Sequence, residues 1–141
     1  MIVKQISVFL ENKTGRLNDV AALLGKSGIN MTAFSVADNS DFGILRAIVS
    51  DPEKALEVLK SNKFAVSLTD VICLHSPNTP GALSSALDIL AKENVYIEYM
   101  YAFAEGVGAN IIIKPSNLQG CVEALQKNKL ELIAANDLYR F

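Results

Sequence analysis

The sequence predicts an α+β fold in which two β-α-β-β-α-β halves, residues 1–69 and 70–141, follow one another and pack closely. Each half is an antiparallel sheet with its helices on one face. Three observations carry this. A shift of 66 residues sets Gly15-Arg16-Leu17 on Gly81-Ala82-Leu83 and holds without a gap along the chain. Within each half, segments of period two alternate with segments of helical period. Gly, Pro, Asn and Asp fall between them, where turns and helix ends need such residues.

The elements follow in order. Ile2 to Leu10 alternates, with Ile6, Val8 and Leu10 on one face, as a strand does. Gly15 to Gly28 spaces Leu17, Val20, Ala21 and Leu24 as one helical face, with Gly28 in the C′ position. Ile29 to Ala37 and Phe42 to Val49 form a hairpin about the turn Asp38-Asn39-Ser40-Asp41. Asp51-Pro52 supplies an N-cap and a first-turn proline to a helix with Leu56 and Leu59 inward, and Phe64 to Leu68 is the fourth strand. The second half repeats the order as Val71 to Ser76, Gly81 to Glu93, Val95 to Phe103, Ala109 to Lys114, Leu118 to Gln126 and Leu130 to Asn136. Glu105-Gly106-Val107-Gly108 is its hairpin turn, and Pro115-Ser116 precedes its second helix. This is the split βαβ, or ferredoxin-like, arrangement. Phe64 to His75 runs nearly unbroken from one half into the next, which leaves no linker and predicts close packing.

Any two helix-rich segments share some Leu and Lys. Chance does not also keep loop residues in register. Asn12 falls on Asn78, Ser50 on Ser116 and Asn62-Lys63 on Asn128-Lys129, beside Ile6 on Ile72 and Leu59 on Leu125. The halves are therefore read as a tandem duplication.

Composition narrows the function classes. Thirteen Lys plus Arg against fifteen Asp plus Glu give a net charge of −2 with no run of like charge, so the basic stripe of a nucleic-acid surface is missing. Half the residues are hydrophobic and the mean hydropathy is +0.27, which excludes a disordered chain. Runs such as Ile111-Ile112-Ile113 are far too short to span a bilayer. Met1 leads directly into the first strand without a signal-peptide pattern, so a cytoplasmic location is expected. Cys73 and Cys121 read as buried thiols rather than a disulfide. His75 is the single histidine, so no metal site is expected, and no motif implies a cofactor. Val95, Ile97, Tyr99, Tyr101 and Phe103 alternate with Tyr96, Met100 and Ala102, which makes both faces of that strand apolar and predicts a homo-oligomer.

Two loops stand out, Asn12-Lys13-Thr14-Gly15-Arg16-Leu17 and Asn78-Thr79-Pro80-Gly81-Ala82-Leu83. Glycine at a helix start lets a ligand approach the free first-turn N–H groups, and the helix dipole favours a carboxylate there. An asparagine three residues earlier offers a donor and an acceptor. The plainer alternative is a turn and N-cap in which Asn12 and Thr14 satisfy only their own backbone. Other features carry less. Asp41-Phe42-Gly43 lacks the rest of a kinase motif set, and Gly106-Val107-Gly108 lies between two strands rather than between a strand and a helix. His75 reads as a surface or partly buried strand residue, Glu57 and Glu123 as solvated helix-face carboxylates, and no Ser or Cys has a catalytic partner.

The loops and the segment Gly28-Ile29-Asn30-Met31 resemble the signature of ACT domains, regulatory βαββαβ modules. That signature is Asp or Asn, then x-Pro-Gly-x-Leu, with Gly-Ile-Asn-Ile opening strand two. The likeness covers both halves, and the whole chain resembles small stand-alone tandem ACT proteins without a catalytic domain. The resemblance implies a side-by-side pair of domains that binds a free amino acid where they meet. It further implies one ligand set of Asn78, Pro80, Gly81, Ala82 and Leu83 with Asn30 and Met31. The other set is Asn12, Thr14, Gly15, Arg16 and Leu17 with Tyr96 and Ile97. Thr14 stands where the family has proline, and Tyr96 where Asn30 has its repeat counterpart, so the two sites are expected to differ.

The resulting expectation is a non-catalytic, amino-acid-binding regulatory homodimer that signals to an enzyme or regulator through altered protein contacts. The rival readings are a regulatory small subunit of an amino-acid biosynthetic enzyme and a small ferredoxin-like enzyme.

Overall fold

The computed structural model describes residues 2–38 and 41–140, so the turn residues Asn39 and Ser40, the start signal at Met1 and the last residue lie outside the described residues. The element order is β1 (Val3–Glu11), α1 (Arg16–Lys26), β2 (Met31–Asp38), β3 (Phe42–Val49), α2 (Pro52–Ser61), β4 (Ala65–Pro77), α3 (Ala82–Lys92), β5 (Ile97–Glu105), β6 (Gly108–Pro115), α4 (Leu118–Lys127), β7 (Glu131–Leu132) and α5 (Ala135–Tyr139). The chain divides into two compact units. The N-terminal unit is Lys4–Thr69 with Leu138–Phe141, and the C-terminal unit is Asp70–Asp137 with Met1–Val3.

In the N-terminal unit the strand order is β2-β3-β1-β4. The antiparallel β1–β3 register pairs Ile6 with Ala47, Val8 with Leu45 and Leu10 with Gly43. Those residues share a face with Val20 and Leu24 of α1 and Ala55 and Leu59 of α2, and together they make a core sealed by Phe64. Burial of these branched side chains against one sheet face is the main term holding the unit together. In α2 the residue turned fully inward beside Leu59 is Ala55, while Leu56 is half-buried. Leu17, placed on the inward stripe of α1 by its spacing, sits in the first turn of the helix and is 41% exposed.

The C-terminal unit repeats this as β5-β6-β4-β7. Its core joins Ile72, Leu74, Ile111 and Ile113 to Ala86 and Leu90 of α3 and Cys121, Ala124 and Leu125 of α4. The duplication also extends to the backbone. Left-handed φ values recur at the same shift, at Gly15 and Gly81, Gly28 and Asn94, and Lys63 and Lys129. The ladder irregularity between Met31 and Ala33 recurs between Ile97 and Tyr99.

The final strand departs from expectation. Only Glu131 and Leu132 pair with β4, and the segment read as strand to Asn136 turns instead into α5. The Ile133 N–H donates to the Cys73 carbonyl at 2.9 Å, after which the ladder ends. Leu138 is fully buried in the N-terminal unit, where the Tyr139 hydroxyl accepts from the Lys4 N–H at 2.7 Å. Burial of Leu138, with the Tyr139 hydroxyl bonded to the Lys4 N–H, outweighs the weak strand propensity of Ala134-Ala135-Asn136.

Candidate functional site

Both glycine loops have one backbone. Gly15 is the N-cap of α1 with φ +94° and ψ −11°, and Gly81 is the N-cap of α3 with φ +87° and ψ −13°. A Cβ at either position would meet nothing within 4 Å, so glycine is required by the left-handed conformation and not by space. Neither helix has a side-chain cap. The Arg16 N–H reaches the Lys13 carbonyl at 3.4 Å, and the Ala82 N–H reaches that of Thr79 at 3.2 Å. Asp19 and Ser85 return their N–H groups to the carbonyls of Gly15 and Gly81. The intervening amides, of Leu17 and Asn18 and of Leu83 and Ser84, are the first-turn donors to which the helix itself offers no acceptor. With the dipole behind them they suit a small carboxylate.

The side chains differ. In the N-terminal unit, Asn12, Thr14, Arg16 and Leu17 border a groove of about 400 Å³ whose far wall is Val36 and Asp38 at the end of β2. Glu11 lies 3.8 Å from both Lys13 and Arg16, and Arg16 reaches Asp19 at 3.3 Å. The Arg16 guanidinium stacks 4.3 Å over Phe64, and its Nε is buried without a partner. In the C-terminal unit, Asn78, Pro80, Gly81 and Leu83 are exposed, Ala82 is half-buried, and none of them is charged. There the Asn78 N–H donates to the Val107 carbonyl at 3.3 Å, tying the loop to the β5–β6 turn.

The starts of the second strands lie elsewhere. Asn30 is exposed, with its N–H on the Ser50 hydroxyl at 3.0 Å and its carbonyl accepting from the Ser50 N–H at 2.9 Å. Tyr96 is 69% exposed, and its carbonyl accepts from the Ser116 N–H at 3.0 Å. Met31 and Ile97 are half-buried against their own cores. In the N-terminal unit the register places the loop beside Asp38 and Gly43, while Met31 pairs with Val49 at the other end of β2. At roughly 3.3 Å per residue, that separation is about 20 Å. Within a unit, then, a loop does not meet its own strand-two start. Each expected ligand set draws on both units. The groove walls Val36, Asp38 and Gly43 escaped the sequence reading, which took Asp38 only as a turn residue.

Burial pushes the Cys73 thiol up to about 12, with the Glu105 charge adding to the shift, and burial pushes Cys121 up to about 11. Both thiols stay protonated and unreactive at neutral pH. Glu57 and Glu123 are exposed on their helices. Among the described residues no group of His, Cys, Asp and Glu is placed to hold a metal ion, and no helix is long and apolar enough to cross a membrane.

Comparison with known proteins adds the family. The profile described as ACT domain pair matches residues 1–141. A crystal structure from Bacteroides thetaiotaomicron is similar at 53% identity and a TM-score of 0.96, covering 100% of this chain and 98% of that one. The regulatory subunit of aspartate kinase from Thermus thermophilus has a TM-score of 0.65 at 15% identity, covering 92% and 97% of the two chains. That of Thermus flavus has a TM-score of 0.62 at 17% identity, covering 90% and 94%. At such identities these two share the fold. No curated protein gives a significant match.

Proposed function

The chain belongs to the ACT domain pair family, and from that premise we propose that it is a non-catalytic regulatory protein that binds a free amino acid. Its two ACT domains would be residues 1–69 and 70–141. The observation that carries this reading is the repeated left-handed glycine cap, which holds two uncapped helix N-termini open with one geometry. A carboxylate on those amides and an asparagine beside them recognise the part that all amino acids share. Asn78, Pro80, Gly81, Ala82 and Leu83 would act on one ligand with Asn30 and Met31. Asn12, Thr14, Gly15, Arg16 and Leu17 would act on another with Tyr96 and Ile97. The protein would work in the cytoplasm as a homodimer, and ligand binding would alter its affinity for a partner protein by about 1–3 kcal/mol.

Thermal unfolding against the twenty amino acids at millimolar concentration tests this. A ligand at a hundred times its Kd adds about 2.7 kcal/mol and raises Tm by several degrees. We expect one such shift, reduced by Asn30→Ala and by Asn78→Ala alike. A flat panel at all twenty would sink the reading. The second reading, a regulatory subunit of an amino-acid biosynthetic enzyme, is favoured by the likeness in fold to the Thermus aspartate kinase subunits. Co-purification of a stoichiometric catalytic chain would select it.

A further inference from the structure

In the C-terminal unit the ends of β4, β5 and β6 carry a hydrogen-bonded chain beside the loop Asn78–Leu83. His75 Nδ1 lies 2.8 Å from Asn110 Oδ1, and Asn110 Nδ2 donates to Glu105 Oε2 at 2.6 Å. Asn110 is fully buried. A carboxylate at Glu105 only accepts, so the amide nitrogen of Asn110 must face it and the amide oxygen must face the imidazole. His75 Nδ1 therefore carries a proton, and in the neutral ring Nε2 holds the lone pair. The ring lies against Gly108, where a Cβ would stand 2.5 Å from Cε1. The repeat makes this arrangement specific to one half. The counterparts of His75, Gly108 and Asn110 are Phe9, Phe42 and Ile44, and Phe9 and Phe42 pack edge to face at 5.3 Å.

The relay closes on the loop. Glu105 and Gly108 flank the β5–β6 turn, Gly108 pairs with Pro77, and Val107 between them accepts from the Asn78 N–H. The position of Asn78 is thus set by the same turn that the His75–Asn110–Glu105 chain anchors. We propose that His75 is a positioning residue for the loop Asn78–Leu83, and that its protonation tightens the loop and strengthens ligand binding there. This rests on the ligand-loop reading above. The cation formed would face Glu105 through Asn110, and Glu131, which is its register partner on β7. The nearest other titratable group on its own strand is the Cys73 thiol, which stays neutral. A charge-assisted Nδ1–H bond to Asn110 is stronger than a neutral one. Imidazoles change charge between pH 5 and 8, and this chain has no second histidine to confuse the signal.

The test is nitrogen-15 NMR of the full chain between pH 5 and 8. We expect the neutral ring to be the Nδ1–H tautomer and the Asn78 amide to titrate with the imidazole midpoint. The ligand found in the amino-acid panel should bind about three- to tenfold more tightly at pH 5.5 than at pH 8. His75→Asn keeps a donor near the Nδ1 position and should hold affinity while flattening the pH profile. His75→Phe, which copies the other repeat, should flatten the profile and lower affinity. An Nε2–H tautomer, or an Asn78 amide that ignores the imidazole, overturns the proposal even where a ligand binds. If Asn78 follows the imidazole but no amino acid binds, the relay stands and the ligand reading falls.

Discussion

The two glycine loops share a backbone and differ in nearly every side chain. Gly15 and Gly81 have φ values within a few degrees of one another, and each starts a helix without a side-chain cap. Around Gly15 stand Glu11, Lys13, Arg16 and Asp19, joined by ion pairs and braced on Phe64. Around Gly81 no residue of the loop is charged. The difference teaches that the duplication preserved a geometry while the chemistry drifted. What both loops retain is two left-handed caps and two sets of open amides, the features on which the proposed amino-acid binding rests. What distinguishes them is charge, and under the proposed function that difference would separate the ligands of the two loops.

The largest effect tests whether the units are equivalent as folded bodies. Leu24 and Leu90 are repeat mates, each 1% exposed, on the helices behind the two loops. Leu24→Ala and Leu90→Ala should each cost about 3 kcal/mol through lost burial and the cavity left behind. Urea unfolding followed by amide exchange in each unit would measure them. Losses differing by more than about 1.5 kcal/mol would mean that one core relaxes into the void and the other does not.

Alkaline pH should separate the units next. Cys73 and Cys121 have Ser7 and Ala55 as counterparts, so buried thiols occur only in the C-terminal unit. A folded-state pKa raised above the unfolded value near 8.5 gives stability that is complete below that value. It is lost as pH rises toward about 12 for Cys73 and about 11 for Cys121, because the unfolded chain releases protons that the folded one keeps. By pH 11 the loss attributable to Cys73 should be about 3 kcal/mol. The slope of stability against pH from 9 to 11 should flatten in Cys73→Val. A slope unchanged by that substitution would remove the assignment.

A smaller effect probes the shared backbone directly. Gly15→Ala and Gly81→Ala should each lose about 1–2 kcal/mol, because a Cβ in the left-handed region is strained even where space is open. Equal losses, read as Tm shifts, would confirm that the caps are the conserved element. A stabilised variant would show that the chain leaves the left-handed conformation with ease.

Much of this architecture was legible in the sequence for a simple reason. Alternation in Ile6-Val8-Leu10 and helical spacing in Val20-Leu24 are local, and a repeat reads each pattern twice. The stretch from Phe64 to His75, read as two strands without a linker, is instead one continuous strand, β4. What escaped depends on partners far apart in the chain. The segment after Leu132 turns helical because Leu138 finds burial and Tyr139 finds the Lys4 N–H, more than a hundred residues away. Val36 and Asp38 become groove walls only through their register with Leu45 and Gly43. The chain His75–Asn110–Glu105 joins three strands and leaves no spacing signal at all. Even the glycines were read for half of what they do. Their role in exposing amides follows from position, but the positive φ that makes them obligatory is a property of the folded loop.

The smallest effect concerns the feature that most distinguishes the loops. Glu11 is 70% exposed and lies 3.8 Å from both cations, a separation at which water and salt screen most of the attraction. Glu11→Gln should therefore change stability by less than about 0.5 kcal/mol, and the difference should vanish in 0.5 M salt. Arg16 is held chiefly by the Phe64 ring, a contact worth about 0.5–1 kcal/mol that salt leaves largely intact. If that is right, the charges of the N-terminal loop are available to a ligand rather than committed to one another. A loss above about 1 kcal/mol that persists in salt would reverse this. It would mean that Glu11 fixes Arg16 over Phe64, and the charged loop would then be a closed scaffold, unlike its uncharged counterpart.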